Sequence, residues 1–166
     1  MKLLILSNNL SRPSYRQRIG AFLPFLEANG IEAAVHQFPD NKFRRWSLLK
    51  SAANYDSVLL HKKCLNFFDA GVLRKHARKI IYDFDDAVMY SPKKPESDNT
   101  SHFRLFRRTA RMADCVIAGN DYLAEHACQF CSNVNLLPTG LDTESYLSVQ
   151  PPKKDDKIRL AWIGSQ

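Results

Sequence analysis

An α/β fold, with an open and mostly parallel sheet covered by helices on both faces, is what this sequence predicts, and three observations predict it. Short apolar runs of strand character alternate along the chain with segments of helical periodicity. The helical segments are long enough to act as crossovers, which parallel neighbours need. The expected strands are near-continuously apolar, so they require burial on two faces, which layers of helices supply.

The first strand is KLLILS, residues 2 to 7, ended by the Asn, Ser and Pro residues that run to Pro13. A helix is expected from about Ser14, because Ile19, Phe22, Leu23 and Leu26 recur at spacings of three and four. Gly30 closes it in the left-handed conformation, and Pro24 kinks it. IEAAVHQF holds the second strand, 31 to 37, and WSLLKSAANY reads as a short helix. DSVLLH holds the third strand, 56 to 60, NFFDAGVLRKHA a helix over 66 to 77, and KIIYDF the fourth strand, 79 to 84. A polar loop, 91 to 100, precedes the helix SHFRLFRRTARMA, a strand at 114 to 118, the helix DYLAEHACQFC and a strand at 134 to 137.

Residues 1–148 therefore read as one domain. VQPPKKDDK, residues 149–157, is charged and proline-rich, hence a linker. IRLAWIGSQ, 158–166, reads as a further strand that either opens a truncated second domain or returns to the first sheet as an edge.

With 45% apolar and 25% charged residues, 8 Pro and 6 Gly, the chain as a whole is neither disordered nor of low complexity. A formal charge of +7 suits an anionic partner: nucleic acid, an anionic membrane, a nucleotide or a phosphorylated substrate. No nucleic-acid reading module accompanies it, so nucleic acid is set aside. MKLLILSNN is too short for a signal peptide and no membrane-length apolar run follows, so a soluble, cytoplasmic chain is expected. The cysteines are expected reduced. CQFC, 128 to 131, has the spacing of half a metal site but no second half, so no metal is expected.

Polar clusters fall where the strands end: Asn8, Asn9 and Arg12 after the first, His61, Lys62 and Lys63 after the third, Asp83, Asp85 and Asp86 after the fourth, Gly119 and Asn120 after the fifth. In open parallel sheets the carboxyl ends of strands are where sites form. SNNLSRPS after the first strand matches neither glycine-rich phosphate loop. DFDDA has the Asp-x-Asp spacing of a phosphatase, but Ala87 stands where that chemistry expects Thr or Val. Its carboxylates also suit recognition of a sugar or phosphorylated acceptor, and Asp85 or Asp86 could instead cap a following helix. Strand alternation puts Asp83 and Asp85 on one side and turns Asp86 away. Arg12, Lys62 or Lys63 would offset the repulsion among them. On this reading Asp83→Asn and Asp85→Asn lower turnover with the fold intact, and Asp86→Ala acts on stability.

Four stretches, KIIYDFDDAVMY, ADCVIAGNDYLAEHA, NVNLLPTGLDTESY and IRLAWIGSQ, in this order on successive strands, resemble the amino-terminal domain of retaining glycosyltransferases of the GT-B fold, in the large group called family 4. The resemblance covers essentially the whole chain. It implies a Rossmann-like domain that holds the acceptor, followed by a domain that holds a nucleotide-sugar donor, UDP- or GDP-linked. It implies no cofactor in this fragment and no transfer without the missing domain. Gly164 and Ser165 match the turn beside the donor phosphates. The family's catalytic His or Asp falls in YDFDDA, where this chain has Tyr82 and Asp83 in place of His-Asp, making Asp83 and Asp85 the catalytic candidates. Asn8, Asn9, Arg12, His61, Lys62, Asp86, Asn120, Tyr122 and Glu125 are the acceptor-binding candidates. Gly140 matches a turn near the interdomain cleft, and Asp142 holds the loop that follows. A phosphatase-like hydrolase, a GT-B-type epimerase and a non-catalytic binding domain are the rival classes.

The helix SHFRLFRRTARM sets Phe103, Phe106 and Ala110 on one side and fans Arg104, Arg107, Arg108 and Arg111 around the other. This is an ordinary crossover with a solvated arginine face, or a surface for peripheral contact with an anionic membrane, which would suit a lipid-linked acceptor.

Overall fold

The computed structural model describes residues 1–95, 97–141 and 143. Strands β1 (Lys2–Ser7), β2 (Glu32–Gln37), β3 (Ser57–His61), β4 (Ile80–Phe84), β5 (Cys115–Ala118) and β6 (Val134–Leu136) lie within a residue or two of the six expected. They form one sheet in the order β2-β1-β3-β4-β5-β6, every pair parallel. The chain is thus an α/β protein with a Rossmann-like sheet. The expected linker at 149–157, the strand at 158–166, Asp142, Gly164 and Ser165 lie outside the described residues.

Four of the five crossovers start where a side chain satisfies the free N–H groups of a helix's first turn. Asn41 caps α3 (Lys42–Ser51), Asn66 caps α4 (Phe67–His76), Thr100 caps α5 (Ser101–Met112) and Asn120 caps α6 (Asp121–Cys128). The crossover after β1 departs from the kinked helix expected there. It is α1 (Pro13–Arg18), a 3₁₀ turn at Gly20–Phe22, and α2 (Leu23–Ala28). Pro24 sits in the first turn of α2, where its missing N–H has no helical partner to lose, so it starts a helix and does not bend one. Gly30, at φ +72°, closes α2 as expected.

The two faces of the sheet are unequal. Leu4, Leu6, Val58, Leu60, Ile80, Tyr82, Phe84, Val116 and Ala118 point into one large core, which packs Leu49, Leu73, Phe106 and Leu123 of α3 to α6 against them. Phe106 anchors it, with its ring 6.3 Å from Tyr82 and 5.4 Å from Phe84 between centroids. The alternate residues Leu3 and Ile5 face the other way, into a smaller cluster with Ile19 and half-buried side chains of α1, α2, β2 and β3. The minor face is where the polar strand ends emerge.

Candidate functional site

Register decides which strand-end side chains meet. Ser7 pairs with His61 across β1 and β3, and His61 with Asp83 across β3 and β4, so the three stand in a row. All three continue the minor-face alternation of Leu3, Ile5 and Leu59. They are nearly inaccessible, at 1%, 2% and 3% exposure. An ionised carboxylate at that depth needs donors. Arg18, at the end of α1 and itself buried, supplies them: its Nη2 donates to Asp83 Oδ1 at 2.5 Å and its Nε to Oδ2 at 3.2 Å. His61 Nδ1 adds a third bond, 2.9 Å to Oδ2.

Burial alone would raise the Asp83 carboxyl, but the bonds from His61 and Arg18, with the guanidinium charge, outweigh it and hold the group below the usual carboxylate range. Arg18 is equally fixed from its other side, with Nη1 donating to the Leu137 carbonyl at 2.9 Å and to Thr139 Oγ1 at 3.1 Å. The segment after β6 is thereby tied to the same network.

From His61 the chain of bonds runs outward. Ser14 Oγ lies 3.2 Å from His61 Nε2 and 3.1 Å from Asp85 Oδ1. Because Asp83 is ionised, Nδ1 carries a hydrogen toward it. The Ser14 hydroxyl has one hydrogen, so it donates to Asp85 when His61 is the imidazolium and can donate to Nε2 when His61 is neutral. The Ser14 hydroxyl can therefore turn between the two partners while the ring stays in place.

Lys62 closes the outer layer. Its Nζ lies 3.0 Å from Asp85 Oδ1 and also bridges Asp86 Oδ2. The Lys62 backbone sits at φ 56°, a left-handed conformation that a lysine adopts at a cost of about 1–3 kcal/mol, a kind of strain that clusters at sites. Its carbonyl accepts a bond from Asn8 Nδ2 at 3.3 Å. Gly119 has a role the strand-end pattern only hinted at: a Cβ there would stand 2.9 Å from the Cα of Asp85. Only glycine lets the acidic turn approach β5 so closely.

These loops border an open cleft of about 460 Å³, lined by Ser7, Asn8, Asn9, Arg12, Pro13, Ser14, His61, Lys62, Asp86 and Val88. Ser7 Oγ is buried and hydrogen-bonds to no described residue. The cleft thus joins amide, hydroxyl, cation and carboxylate groups at one place, the chemistry that reads a polyhydroxylated ligand.

Asn8, Asn9, Arg12, His61, Lys62 and Asp86 come together as expected from the strand ends. Asn120, Tyr122 and Glu125 do not line this cleft. Asn120 spends its side-chain oxygen on the N–H of Leu123, Tyr122 packs against the ring of His126 at 4.5 Å, and Glu125 is exposed on α6. Neither Asp85 nor Asp86 caps a helix, because the next helix starts only at Ser101 under Thr100. Asp86 does not turn away into such a cap either. It is the most exposed of the three acids, with its side chain 69% accessible, and it faces the cleft.

The acids are offset by Arg18, His61 and Lys62. Lys63 instead lies over the ring of Phe38, 4.7 Å from its centroid, and Arg12 lines the cleft. Arg18 and Ser14 were not recognised from the sequence. The one available signal for Arg18 is a carboxylate, Asp83, still inside an apolar strand and so in need of a buried cation.

All four cysteines are free thiols. Cys64 is pushed up to about 11 by burial, against the effect of a bond to Tyr82 Oη, so it is no ready nucleophile. Among the described residues, no three His, Cys, Asp or Glu side chains are grouped to hold a metal ion. Nor is any described helix long and apolar enough to cross a membrane.

No family model matches the chain, and no curated protein matches it. Among solved structures it is similar to a chain in the crystal structure of Anabaena Alr3699/HepE in complex with UDP, with 17% identity and a TM-score of 0.49 over 87% of this chain. The match takes in 45% of that chain, so the present sequence spans less than half its length.

Proposed function

We propose that this chain is the acceptor-side domain of a nucleotide-sugar glycosyltransferase of the GT-B fold and of the family 4 type, transferring with retention. The supporting observation is the cleft itself. At the carboxyl ends of β1, β3 and β4 it sets Asn8, Asn9, Arg12 and Lys62 around the Ser14 hydroxyl, with His61 and Asp83 rigidly held behind. Hydroxyl groups of a carbohydrate, lipid-linked or small-molecule acceptor would exchange hydrogen bonds with the outer layer, and Ser7 Oγ offers one more. Asp85 and Ser14 would touch the acceptor, whereas Asp83, bound on both oxygens, acts as a positioning residue for His61.

In this reading residues 158–166 begin a donor domain, where Gly164 and Ser165 stand beside the phosphates of a UDP- or GDP-linked sugar. Asn120, Tyr122 and Glu125 border the acceptor further out. The protein would work in the cytoplasm. The phosphatase alternative loses its nucleophile, because the first Asp of DFDDA is the buried Asp83, committed to Arg18 and His61.

The test is to incubate the full-length protein with radiolabelled UDP- and GDP-sugars and a membrane or glycan extract. Label entering a lipid or glycan fraction, with release of the nucleoside diphosphate, is the expected result. Hydrolysis of a phosphomonoester in magnesium without sugar transfer overturns the reading.

A further inference from the structure

We propose that the face built by α3, α4 and α5 docks on an anionic lipid bilayer. Phe67 and Phe68 open α4 at 70% and 68% exposure, their rings edge to face at 5.8 Å, and Phe43 stands in the first turn of α3 at 80%. Bulky aromatic side chains left this exposed are the apolar part of an interaction surface.

Their setting supplies the other part. The Asp69 carboxylate of α4 takes an ion pair at 2.8 Å from Arg45 and a bond at 3.0 Å from Trp46 Nε1, which ties the start of α3 to the start of α4. Arg108 of α5 lies over the ring of Phe67, 5.9 Å from its centroid, and extends the same surface. Beyond it Arg104, Arg107 and Arg111 are exposed, and neither α3 nor α5 carries an Asp or Glu. Phenylalanines that can enter the acyl boundary, flanked by cations of one sign that can meet lipid phosphates, are the two requirements of interfacial binding.

In a parallel sheet the helices start at the carboxyl ends of the strands. Phe43, Phe67 and Phe68 therefore lie along the same edge as the cleft, and docking brings the cleft to the headgroups. That placement makes a lipid-linked acceptor the fitting substrate class. This last step rests on the glycosyltransferase reading, but the docking does not.

Sedimentation of the full-length protein with phosphatidylcholine vesicles, with and without phosphatidylglycerol and at low and high salt, tests it. Binding is expected only with the anionic vesicles and should weaken in high salt. Phe67→Ser with Phe68→Ser should lower vesicle affinity at least about tenfold. Arg104→Gln with Arg107→Gln and Arg111→Gln should do the same, and the far-ultraviolet circular dichroism of both variants should be unchanged. Failure to bind anionic vesicles, binding that ignores both sets of substitutions, or binding of duplex DNA or RNA without vesicle binding overturns the proposal. Sugar transfer is not part of this readout, so its absence would count against the enzymatic reading alone.

Discussion

Asp83→Ala should unfold the domain at markedly lower denaturant, with a loss of about 3–5 kcal/mol. The substitution leaves the Arg18 guanidinium buried without its carboxylate and takes from His61 Nδ1 the acceptor that holds it. Removing one member of a buried pair costs more than the pair contributes, because the remaining charge keeps its desolvation penalty. Replacing both by apolar residues, Asp83→Leu with Arg18→Met, should therefore recover much of the loss in urea unfolding.

The same pair gives a pH dependence. Asp83 is held below its unfolded value of about 3.9, so its contribution is full above about pH 4 and is lost as the pH falls through the folded value. The Ala variant should lack that acid limb. Burial thus reverses the expectation drawn from DFDDA alone, in which Asp83→Asn spared the fold and Asp86→Ala disturbed it. With its side chain 69% accessible, Asp86 should matter little for stability.

Asp85→Asn should act on turnover, lowering kcat/KM for transfer on the order of 100-fold. The change keeps size and shape, but it removes the charge that holds Lys62 and replaces the acceptor facing Ser14. Its stability cost should stay within about 1 kcal/mol, since the ion pair is partly solvated. Turnover and thermal unfolding of the full-length variant check both halves. A normal rate would leave the acidic turn with a structural role only.

The sheet was legible because apolar runs and helical periodicity report burial, and burial on both faces is what six parallel strands need. β3 and β4 were placed within a residue of their positions for that reason. Half of the site was legible too, since polar residues at the ends of β1, β3 and β4 converge by topology. What periodicity does not carry is register between strands and the direction of a side chain at a helix end. Register aligns Ser7, His61 and Asp83, and the break after α1 turns Arg18 inward. The helix cap expected at Asp85 or Asp86 failed because a long polar segment separates the acidic turn from α5. The Gly119 contact was invisible for a related reason: it is made across strands, by a residue whose importance lies in having no side chain.

That the cleft is the acceptor site is tested most directly by the pair of Michaelis constants of the full-length protein carrying Arg12→Ala or Asn8→Ala. Both residues line the cleft and lie outside the buried network of Asp83, Arg18 and His61. Loss of one such contact should raise the acceptor KM about tenfold while the donor KM stays as in the wild type. A rise in the donor KM with an unchanged acceptor KM would contradict the assignment and make this cleft a nucleotide site.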